Sequence, residues 1–324
     1  MDRNSVIAFL GKDWDSMQAL IFKALGSDVP MLDEINRRLL ENAGKMLRPR
    51  LTMLFARICG GPVLTEESLR YAAAVEVLHN ATLLHDDVAD EAMTRRGKPT
   101  VMSYLGAVPA VLVGDFWLAR AVGLLSDCSD MKWTLDAFTR TLTDLSEGEM
   151  LQQQKAFTSD TTMEDYLRII YCKTGSLFVT ACQSGAKSVQ ASEEMIQAAG
   201  RYGKALGLAF QIRDDILDYA GDEKTGKPLG IDLLERKITL PLLGALSNSP
   251  DEQKWRQMIH EIPLHPGNAD TIRDFVLSNG GVEFAEKKLE DYVSEAVHAL
   301  DIFPDCTEKE ILAGIAHLNS IRTQ

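Results

Sequence analysis

Residues 69–90 read LRYAAAVEVLHNATLLHDDVAD, and this stretch decides the fold. Alanine, leucine and valine dominate it, and it contains neither glycine nor proline. Such a run is too long for a strand and too apolar on all sides for a surface helix, which predicts a buried helix. Residues 109–126 and 200–219 have the same character, and strand-like alternation is hard to find elsewhere. The sequence therefore predicts an all-α protein, with residues 1–324 forming a single domain.

The composition around these helices is that of an ordinary globular chain. The 324 residues are 45% hydrophobic and 25% charged, and the net charge of −13 argues against nucleic-acid binding, which needs a basic surface. No stretch reaches roughly 18 uninterrupted apolar residues, so we expect no transmembrane segment. The N-terminus lacks the features of a signal peptide. The cysteines are scattered without a CxxC pair, which indicates neither a disulfide framework nor a zinc site and favours a reducing cytoplasm.

Two acidic motifs lie in the long apolar segments. Residues 86–90 read DDVAD and residues 214–218 read DDILD, so each is a DDxxD. At helical spacing the first and last aspartates of each motif share one face. A single DDxxD is more often a solvated helix face, but apolar neighbours such as Leu84 and Ile212 argue for a buried setting. Clustered carboxylates in that setting need cations, and Mg²⁺ fits best because it binds a few carboxylates together with water and phosphate.

Basic residues are scarce, and several stand beside glycine or proline. Lys45 and Arg48 lie in GKMLRP, where Pro49 predicts a helix start whose unpaired N–H groups suit an anion. Arg95 and Arg96 follow the first acidic motif. Further cations, and a histidine two turns before that motif, are Lys173, Lys224, Lys227, Lys237 and His79. Each of these side chains alone suggests only a solvated residue or, for the histidine, a core residue. Together with two carboxylate pairs they suit two diphosphates, one bridged by metal and one held directly by lysine and arginine.

Four stretches of the sequence resemble the trans-prenyl diphosphate synthases, also called polyprenyl synthetases. They are GKMLRP at 44–49, LLHDDVADEAMTRRG at 83–97, KTG at 173–175 and FQIRDDILDYAGDEKTGKPLGIDL at 210–233. Their order and spacing match from about residue 10 to about residue 320, and the likeness is greatest to the bacterial long-chain, octaprenyl-type synthases. The resemblance implies a helical bundle around a deep central cavity, of the isoprenoid synthase type, assembled as a homodimer.

The resemblance also implies a reaction. A Mg²⁺-dependent transferase of this family condenses isopentenyl diphosphate head to tail with an allylic prenyl diphosphate and makes an all-trans polyprenyl diphosphate, here expected to serve quinone side chains. Metal ions, about three per site by family likeness, and basic side chains stabilise the departing pyrophosphate, so that the allylic C–O bond ionises. The isopentenyl double bond attacks the cation, and the released pyrophosphate takes the proton. A dry cavity is needed, because water would quench the cation.

Each matching residue receives a role from the same resemblance. The metal ligands are Asp86, Asp90 and Asp214, supported by Asp87, Asp215 and Asp218. Isopentenyl diphosphate is assigned to Lys45, Arg48, His79 and Arg96, and the allylic diphosphate to Arg95, Lys173, Lys227 and Lys237. Oxygen atoms of Thr174, Gln211 and the Lys173 main chain face the allylic cation. Two positions depart from the family pattern: Ala89 is smaller than the usual branched residue, and Arg236 stands where glycine is common.

Product length is expected to depend on the helix that carries the first acidic motif. In this family, an aromatic residue four or five positions before the DDxxD blocks the tunnel for the growing chain. Here those positions are Thr82 and Ala81, so the tunnel is expected to continue past Leu78, Val77 and Ala74. The helix rises on the order of 10 Å from Ala81 to Ala74, which predicts a product of roughly seven or more isoprene units. Trp117 and Phe116 are candidates for the tunnel floor.

Three alternatives stay open. A class I terpene cyclase also uses DDxxD and Mg²⁺, but it would not need the second cation group of Lys45, Arg48 and Arg96. A non-catalytic partner subunit would typically have lost its aspartates, whereas both motifs are intact. A short-chain synthase, making farnesyl or geranylgeranyl diphosphate, is the nearest alternative, and the small Ala81 and Thr82 argue against it.

Overall fold

The structure is a computed structural model and describes residues 3–41, 44–221 and 230–318. Its described residues are helical almost throughout, with one π-helical turn (Tyr171–Gly175) and one antiparallel hairpin of β1 (Thr94–Arg95) and β2 (Lys98–Pro99), so the all-α prediction is confirmed. The α-helices are α1 (Arg3–Leu10), α2 (Lys12–Ala24), α3 (Pro30–Glu41), α4 (Leu47–Gly60), α5 (Glu66–Ala89), α6 (Val101–Leu105), α7 (Ala107–Leu125), α8 (Met131–Thr158), α9 (Met163–Ile170), α10 (Ser176–Lys187), α11 (Glu193–Ala220), α12 (Ile231–Leu234), α13 (Leu240–Ser247), α14 (Glu252–His260), α15 (Asn268–Ser278), α16 (Gly281–His298) and α17 (Thr307–Leu318).

The chain divides into two compact units. The first unit comprises Met1–Phe138, Thr180–Ala199 and Ile302–Leu312. The second unit comprises Thr139–Val179, Gly200–Asp301 and Ala313–Gln324. The expectation that residues 1–324 form a single domain stays a prediction.

Helix α5 is the centre of the first unit and carries the first acidic motif. The Thr65 hydroxyl caps its start by accepting the Ser68 N–H at 3.0 Å. Its alanines 72–74 are fully buried, and it packs against α7, α4 and α2. Gly114 of α7 permits one close approach, because a methyl group there would lie 2.3 Å from Nε2 of His85. The apolar run that predicted a buried helix therefore forms the core of this unit.

Helix α7 is long and apolar enough to cross a membrane by length and composition, with a mean hydropathy of 1.6 over its window. It is the one described helix with that property. Two charged residues, Asp115 and Arg120, interrupt it, so no uninterrupted apolar run is present. One side of α7 packs on α5, and only 39% of the window is buried. Much of an apolar helix is thus exposed on this unit.

The second unit places the KTG motif in the π turn between α9 and α10. A reciprocal capping box of Thr162 and Asp165 starts helix α9, which runs directly into the turn. Single π turns inside helices often mark functional sites. Helix α11 passes close to the turn, since a methyl group on Gly207 would lie 2.7 Å from Cα of Gly175. The packing therefore brings the KTG motif beside the helix that carries the second acidic motif.

The C-terminal helices α13, α15 and α16 complete the core of the second unit. Helix α16 buries Leu289 and Val293 on one face and leaves its charged residues outside. Gly244 of α13 lies against the Phe284 ring, because a methyl group there would meet the ring at 2.7 Å. Trp255 and Phe275 stack with ring centroids 3.8 Å apart, which joins α14 to α15.

Candidate active site

The first unit gathers most of the cations that the sequence singled out. We call this group the cation cluster, and its members are Lys45, Arg48, His79, Arg95 and Arg96. Burial lowers the pKa of His79 well below its usual 6.5, and the charges of Arg48, Arg96 and Arg95 lower it further. Burial also lowers the pKa of Arg48 to about 10, against the attraction of a buried glutamate, Glu76. His79 is therefore a neutral hydrogen-bonding group among charged arginines near pH 7.

The start of helix α4 fixes the position of Arg48. The helix begins at Leu47, not at Pro49 as the sequence suggested, because Met46 already turns the chain with a left-handed φ of 46°. The Arg50 side chain donates to the Lys45 carbonyl at 2.9 Å and to the Met46 carbonyl at 3.2 Å. These bonds hold the segment that leads into α4 and so place Arg48 in its first turn.

Arg96 lies at the tip of the β1–β2 hairpin, which follows the first acidic motif. Arg96 and Gly97 both have positive φ, 54° and 75°, as a two-residue type I′ hairpin turn requires. The left-handed conformation is unfavourable for an arginine. The Arg96 guanidinium lies against Gly44, where an added methyl group would meet Nη1 at 2.0 Å. The missing side chain at Gly44 thus makes room for the Arg96 cation.

Glu76 is a site residue that the motifs did not reveal. It is buried on α5, where Asn80 donates to its Oε1 at 3.1 Å and to its main-chain oxygen at 2.8 Å. Burial raises the pKa of Glu76, and Arg48 and Arg96 oppose that rise. A single acid within YAAAVEVLHN was the available signal, since a buried carboxylate needs partners.

The three aspartates of the first motif have different surroundings. Asp86, on α5, is partly exposed, and Asp90, which caps the C-terminus of α5 one helical turn later, is exposed. Asp87 is buried, and its Oδ1 accepts the Arg95 Nε–H at 2.6 Å. Burial raises the pKa of Asp87, and Arg95 opposes that rise. Arg95 therefore has a carboxylate partner within the protein, beside its expected role toward the allylic diphosphate.

The second motif, on α11 in the second unit, shows the same division. Asp214 is exposed, whereas Asp215 is buried and accepts from Tyr166 and Gln211. Burial, with a contribution from the Asp232 carboxylate, raises the pKa of Asp215. Asp218 accepts the main-chain N–H groups of residues 231 and 232, each at 3.2 Å. Asp218 thus holds the start of α12 beside the motif.

The π turn presents Lys173 beside α8. Lys173 Nζ pairs with Oε2 of Glu149 at 2.5 Å, another residue that no motif revealed. The turn and α8 touch at Gly148, where an added methyl group would lie 2.6 Å from Cβ of Cys172 and 3.0 Å from Cγ of Lys173. Thr174 donates from Oγ1 to Gln211 Oε1 at 2.8 Å. The KTG motif is therefore joined to α8 by an ion pair and to α11 by a hydrogen bond.

A pocket with a cavity volume of about 140 Å³ lies in the second unit. It brings together the predicted residues Lys173, Gln211, Asp215 and Lys237, and adds Lys155, Tyr166 and Asp232 among others. Lys237 also forms an ion pair with Glu235. Lys224 and Lys227, which the sequence placed in the same group, lie outside the described residues.

A helix C-terminal motif positions Lys237. The Lys237 N–H donates to the Asp232 carbonyl at 2.7 Å, and the Arg236 N–H donates to the Leu233 carbonyl at 2.9 Å. This is the Schellman pattern, in which the residue after the cap is left-handed and is usually glycine. Arg236 occupies that position with a φ of 58°, a conformation that glycine adopts at least cost, which fits the glycine that the resemblance led us to expect there. The arginine keeps the motif, so the position of Lys237 is retained.

The residues expected to line the product tunnel lie along α5 in the first unit. Ala74, Val77, Leu78 and Ala81 are buried, and Thr82 is partly buried with its hydroxyl bonded to the His79 carbonyl at 2.8 Å. Of the proposed floor residues, Trp117 is buried and donates from Nε1 to Asn36 Oδ1 at 2.8 Å, and Phe116 is partly exposed beneath Arg120. Before Ala74, the buried Tyr71 ring contacts Trp133 and Phe138.

Comparison with known proteins now identifies the family. The model of the polyprenyl synthetase family matches residues 29–275. The chain belongs to the polyprenyl synthetase family. It is 36% identical to an all-trans-nonaprenyl-diphosphate synthase (geranyl-diphosphate specific) of Rhodobacter capsulatus, over 99% of this chain and 98% of that protein. It is 35% identical to the octaprenyl diphosphate synthase of Escherichia coli (strain K12), over 98% of both chains.

A solved structure gives the same result for the fold of this polyprenyl synthetase. A polyprenyl synthase from Caulobacter crescentus CB15, complexed with calcium and isoprenyl diphosphate, superimposes with a TM-score of 0.89 and 34% identity, covering 100% of this chain and 98% of that one. The resemblance inferred from four short motifs is therefore confirmed over the whole chain. The isoprenoid synthase type of helical fold is confirmed with it.

The acidic residues of this polyprenyl synthetase suit a cation that needs few protein ligands. Within the described ranges, no group of three or more His, Cys, Asp or Glu side chains is close enough to hold a metal ion by itself. Mg²⁺ commonly binds one or two carboxylates and completes its shell with water and substrate phosphate. Asp86, Asp90 and Asp214, exposed or partly exposed, fit that mode, whereas Asp87 and Asp215 are buried against protein donors.

Proposed function

We propose that this polyprenyl synthetase condenses isopentenyl diphosphate head to tail with an allylic prenyl diphosphate and releases a long-chain all-trans polyprenyl diphosphate. The observation that carries the proposal is the separation of the cations into two differently built groups. Arg48, His79 and Arg96 meet in the first unit, and Lys173 and Lys237 line one pocket of the second. Two groups suit two diphosphate substrates, which a cyclase with a single substrate does not need.

The cation cluster is proposed to bind isopentenyl diphosphate. Arg48 and Arg96 supply permanent charge, and arginine is well suited to phosphate because its planar guanidinium donates two parallel hydrogen bonds. Lys45 is exposed and adds a third cation. The neutral His79 adds a donor without adding charge. The positive charges of Lys45, Arg48 and Arg96 match the charge of a diphosphate better than that of a singly charged anion.

The partly exposed aspartates are proposed to hold Mg²⁺. Asp86 and Asp90 would hold Mg²⁺ at the first acidic motif, and Asp214 would hold Mg²⁺ at the second. When bound, Mg²⁺ supplies positive charge that stabilises the departing pyrophosphate. Asp87, Asp215 and Asp218 would act by fixing the motifs, since each already accepts hydrogen bonds from Arg95, from Tyr166 or from the start of α12.

The pocket of the second unit is proposed to serve the allylic substrate. Lys173 and Lys237, together with Lys227, would stabilise the charge that develops on the leaving diphosphate. Thr174 and Gln211 would turn oxygen lone pairs toward the allylic cation, which lowers its energy without offering a nucleophile in place of the isopentenyl double bond. The released pyrophosphate would take the proton, so this step needs no side chain near Thr174.

The proposed product is long, because small residues flank the first acidic motif. Ala81 is buried and Thr82 partly buried on α5, and an aromatic ring at either position would occupy space along that helix. The octaprenyl and nonaprenyl synthases named above are long-chain enzymes by their names, which supports the same conclusion. We assign the protein to the cytoplasm and its product to quinone side chains.

A homodimer is the proposed assembly, formed through the exposed face of α7. Val108, Leu112 and Val122 are 71%, 61% and 51% exposed and share one face of the helix. Asp115 lies exposed within the same face, and a mainly apolar, exposed face of this kind marks an interaction surface. We expect light scattering to give twice the chain mass for the native protein and a monomer for Leu112→Glu. A native protein that is monomeric at micromolar concentration would contradict the dimer.

A product assay tests the function. The protein is incubated with Mg²⁺, isopentenyl diphosphate and farnesyl diphosphate, and the dephosphorylated products are sized. We expect long prenols that disappear with EDTA and with Asp86→Ala, and shorter prenols with Ala81→Phe. Products of the native protein that end at farnesyl or geranylgeranyl length would support the condensation reaction but exclude the long-chain assignment. No elongation with any primer would exclude the synthase.

A further inference from the structure

A continuous chain of hydrogen bonds in the second unit links a tyrosine outside every motif to two predicted catalytic residues. Tyr166 donates from its hydroxyl to Asp215 Oδ2 at 2.7 Å. Gln211 donates from Nε2 to Asp215 Oδ1 at 2.9 Å, and Thr174 donates from Oγ1 to Gln211 Oε1 at 2.8 Å. We call these four residues the relay: Tyr166, Asp215, Gln211 and Thr174. It joins α9, α11 and the π turn.

The hydrogen bonds of the relay run in one direction. Both oxygens of Asp215 accept, one from the Tyr166 hydroxyl and one from the Gln211 NH₂ group. The Gln211 oxygen is thereby turned toward Thr174. The Thr174 proton is then committed to Gln211, and the lone pairs of Thr174 Oγ1 are left to face away from the relay. A reversed Gln211 amide would place its oxygen against the Asp215 carboxylate.

Tyr166 is the fixed end of the relay. Tyr166 is only 3% exposed, and Asp215 only 2%. The capping box at the start of α9 holds the helix one turn before Tyr166, and Lys155 ties Asp165 of that box to α8 at 2.9 Å. A buried carboxylate accepting from a rigidly held phenol has little freedom to rotate, so it transmits its orientation to the Gln211 amide.

We infer that Tyr166 is a positioning residue for the condensation: through Asp215 it orients Gln211 and Thr174, so that the lone pairs of Thr174 face the allylic cation. The inference rests on the proposed function and deepens it. It also assigns Asp215 to the relay and leaves metal binding in this motif to Asp214. Tyr166 needs no contact with the substrate in this role.

Tyr166→Phe tests the inference, because it removes one oxygen and leaves the ring. We expect kcat to fall about tenfold, as for loss of a hydrogen bond to a buried carboxylate. The KM values for both diphosphates and the Mg²⁺ concentration for half-maximal rate should change by less than about twofold, since binding groups are unaltered. Tyr202→Phe is the matched control: it removes another buried tyrosine hydroxyl from the same unit and should leave kcat unchanged.

A double-mutant cycle separates a relay from a general packing effect. In a Gln211→Met background the relay is already cut, so Tyr166→Phe should lower kcat by less than about twofold. A full tenfold loss in that background, or a native kcat in Tyr166→Phe alone, would overturn the inference while the native enzyme still condenses its substrates. A native protein without condensing activity would instead remove the proposed function, and this inference with it.

Asp215→Asn gives a second variant if Tyr166→Phe folds poorly. An asparagine keeps the shape, but its NH₂ group must face either the Tyr166 hydroxyl or the Gln211 NH₂ group, so position 215 can no longer accept on both sides. We expect kcat to fall with an unchanged Mg²⁺ requirement. Asp214→Asn should raise the Mg²⁺ requirement. If Asp215→Asn raised the Mg²⁺ requirement as much as Asp214→Asn, the assignment of Asp215 to the relay would be wrong.

Discussion

The cation cluster of the first unit and the relay of the second unit hold their functional side chains in different ways. In the cluster, the main chain and a missing side chain do the holding: Arg50 binds two carbonyls before α4, and Gly44 makes room for Arg96. In the relay, side chains hold one another through directed hydrogen bonds of 2.7–2.9 Å. A site of the first kind sets where charge lies, and a site of the second kind sets which way a dipole points.

Because the two sites hold their side chains differently, we expect them to respond differently to substitution. Charge attracts a diphosphate from a range of positions, so the cluster tolerates small displacements and should lose affinity gradually. A dipole aimed at a developing cation acts only when its direction is right, so the relay should lose rate steeply. Variants of the first kind should therefore change KM, and variants of the second kind should change kcat.

The largest expected effect is a loss of kcat in Gly148→Ala, where the added methyl group disturbs the π turn. The added methyl group would lie 2.6 Å from Cβ of Cys172 and 3.2 Å from the Lys173 main-chain nitrogen, so the turn must shift. We expect kcat to fall about a hundredfold, because a shift near 1 Å in a catalytic group has that effect. Steady-state kinetics measures it. Gly314→Ala is the control, since a methyl group there meets nothing within 4 Å; equal losses in both variants would point to a general effect of alanine.

A smaller effect is expected for Gly44→Ala. Its methyl group would meet only the end of the Arg96 side chain, which can move away at little cost to stability. We expect KM for isopentenyl diphosphate to rise about tenfold, the loss of one charge-assisted contact, with kcat within about twofold. Gly26→Ala serves as the control, because its methyl group would make an ordinary 3.6 Å contact. A fall in kcat without a change in KM would contradict the role given to the cluster.

The neutral histidine of the cluster makes stability depend on pH. The folded-state pKa of His79 lies well below its usual 6.5, so the unfolded chain binds the proton more readily. Its contribution to stability is therefore present above pH 6.5 and is lost as the pH falls toward the folded-state pKa. Urea unfolding between pH 7 and pH 5 should show a smaller decline in His79→Gln than in the native protein. Equal declines would show that His79 is not held neutral.

The sequence predicted the elements better than the partners of their side chains. The apolar run on α5 and the two acidic motifs were sufficient for the fold and for the family. They could not separate Asp214 from Asp215, because the difference arises from a rotation of one residue that turns Asp215 toward Tyr166. Tyr166 belongs to no motif, and what links it to the site is its hydrogen bond to Asp215, 49 residues further along the chain. In the sequence, Glu76 stands out only as a single acidic residue within an apolar run.

The smallest expected effect concerns two arginines with a left-handed backbone conformation. Arg96 belongs to the cation cluster, and Arg236 precedes Lys237 of the second unit's pocket. Arg96 and Arg236 have φ values of 54° and 58°, where glycine is favoured. Replacement of either by glycine should relieve about 1 kcal/mol of backbone strain, partly offset by the flexibility that glycine adds to the unfolded chain. Thermal unfolding should therefore give both variants a melting temperature equal to or above the native value. Their activities should differ: Arg96→Gly should raise KM for isopentenyl diphosphate, whereas Arg236→Gly should leave kcat and KM unchanged, because the Schellman bonds still place Lys237. If Arg236→Gly also lost activity, the cation at position 236 would belong to the second site, and the contrast between the two regions would have to be redrawn.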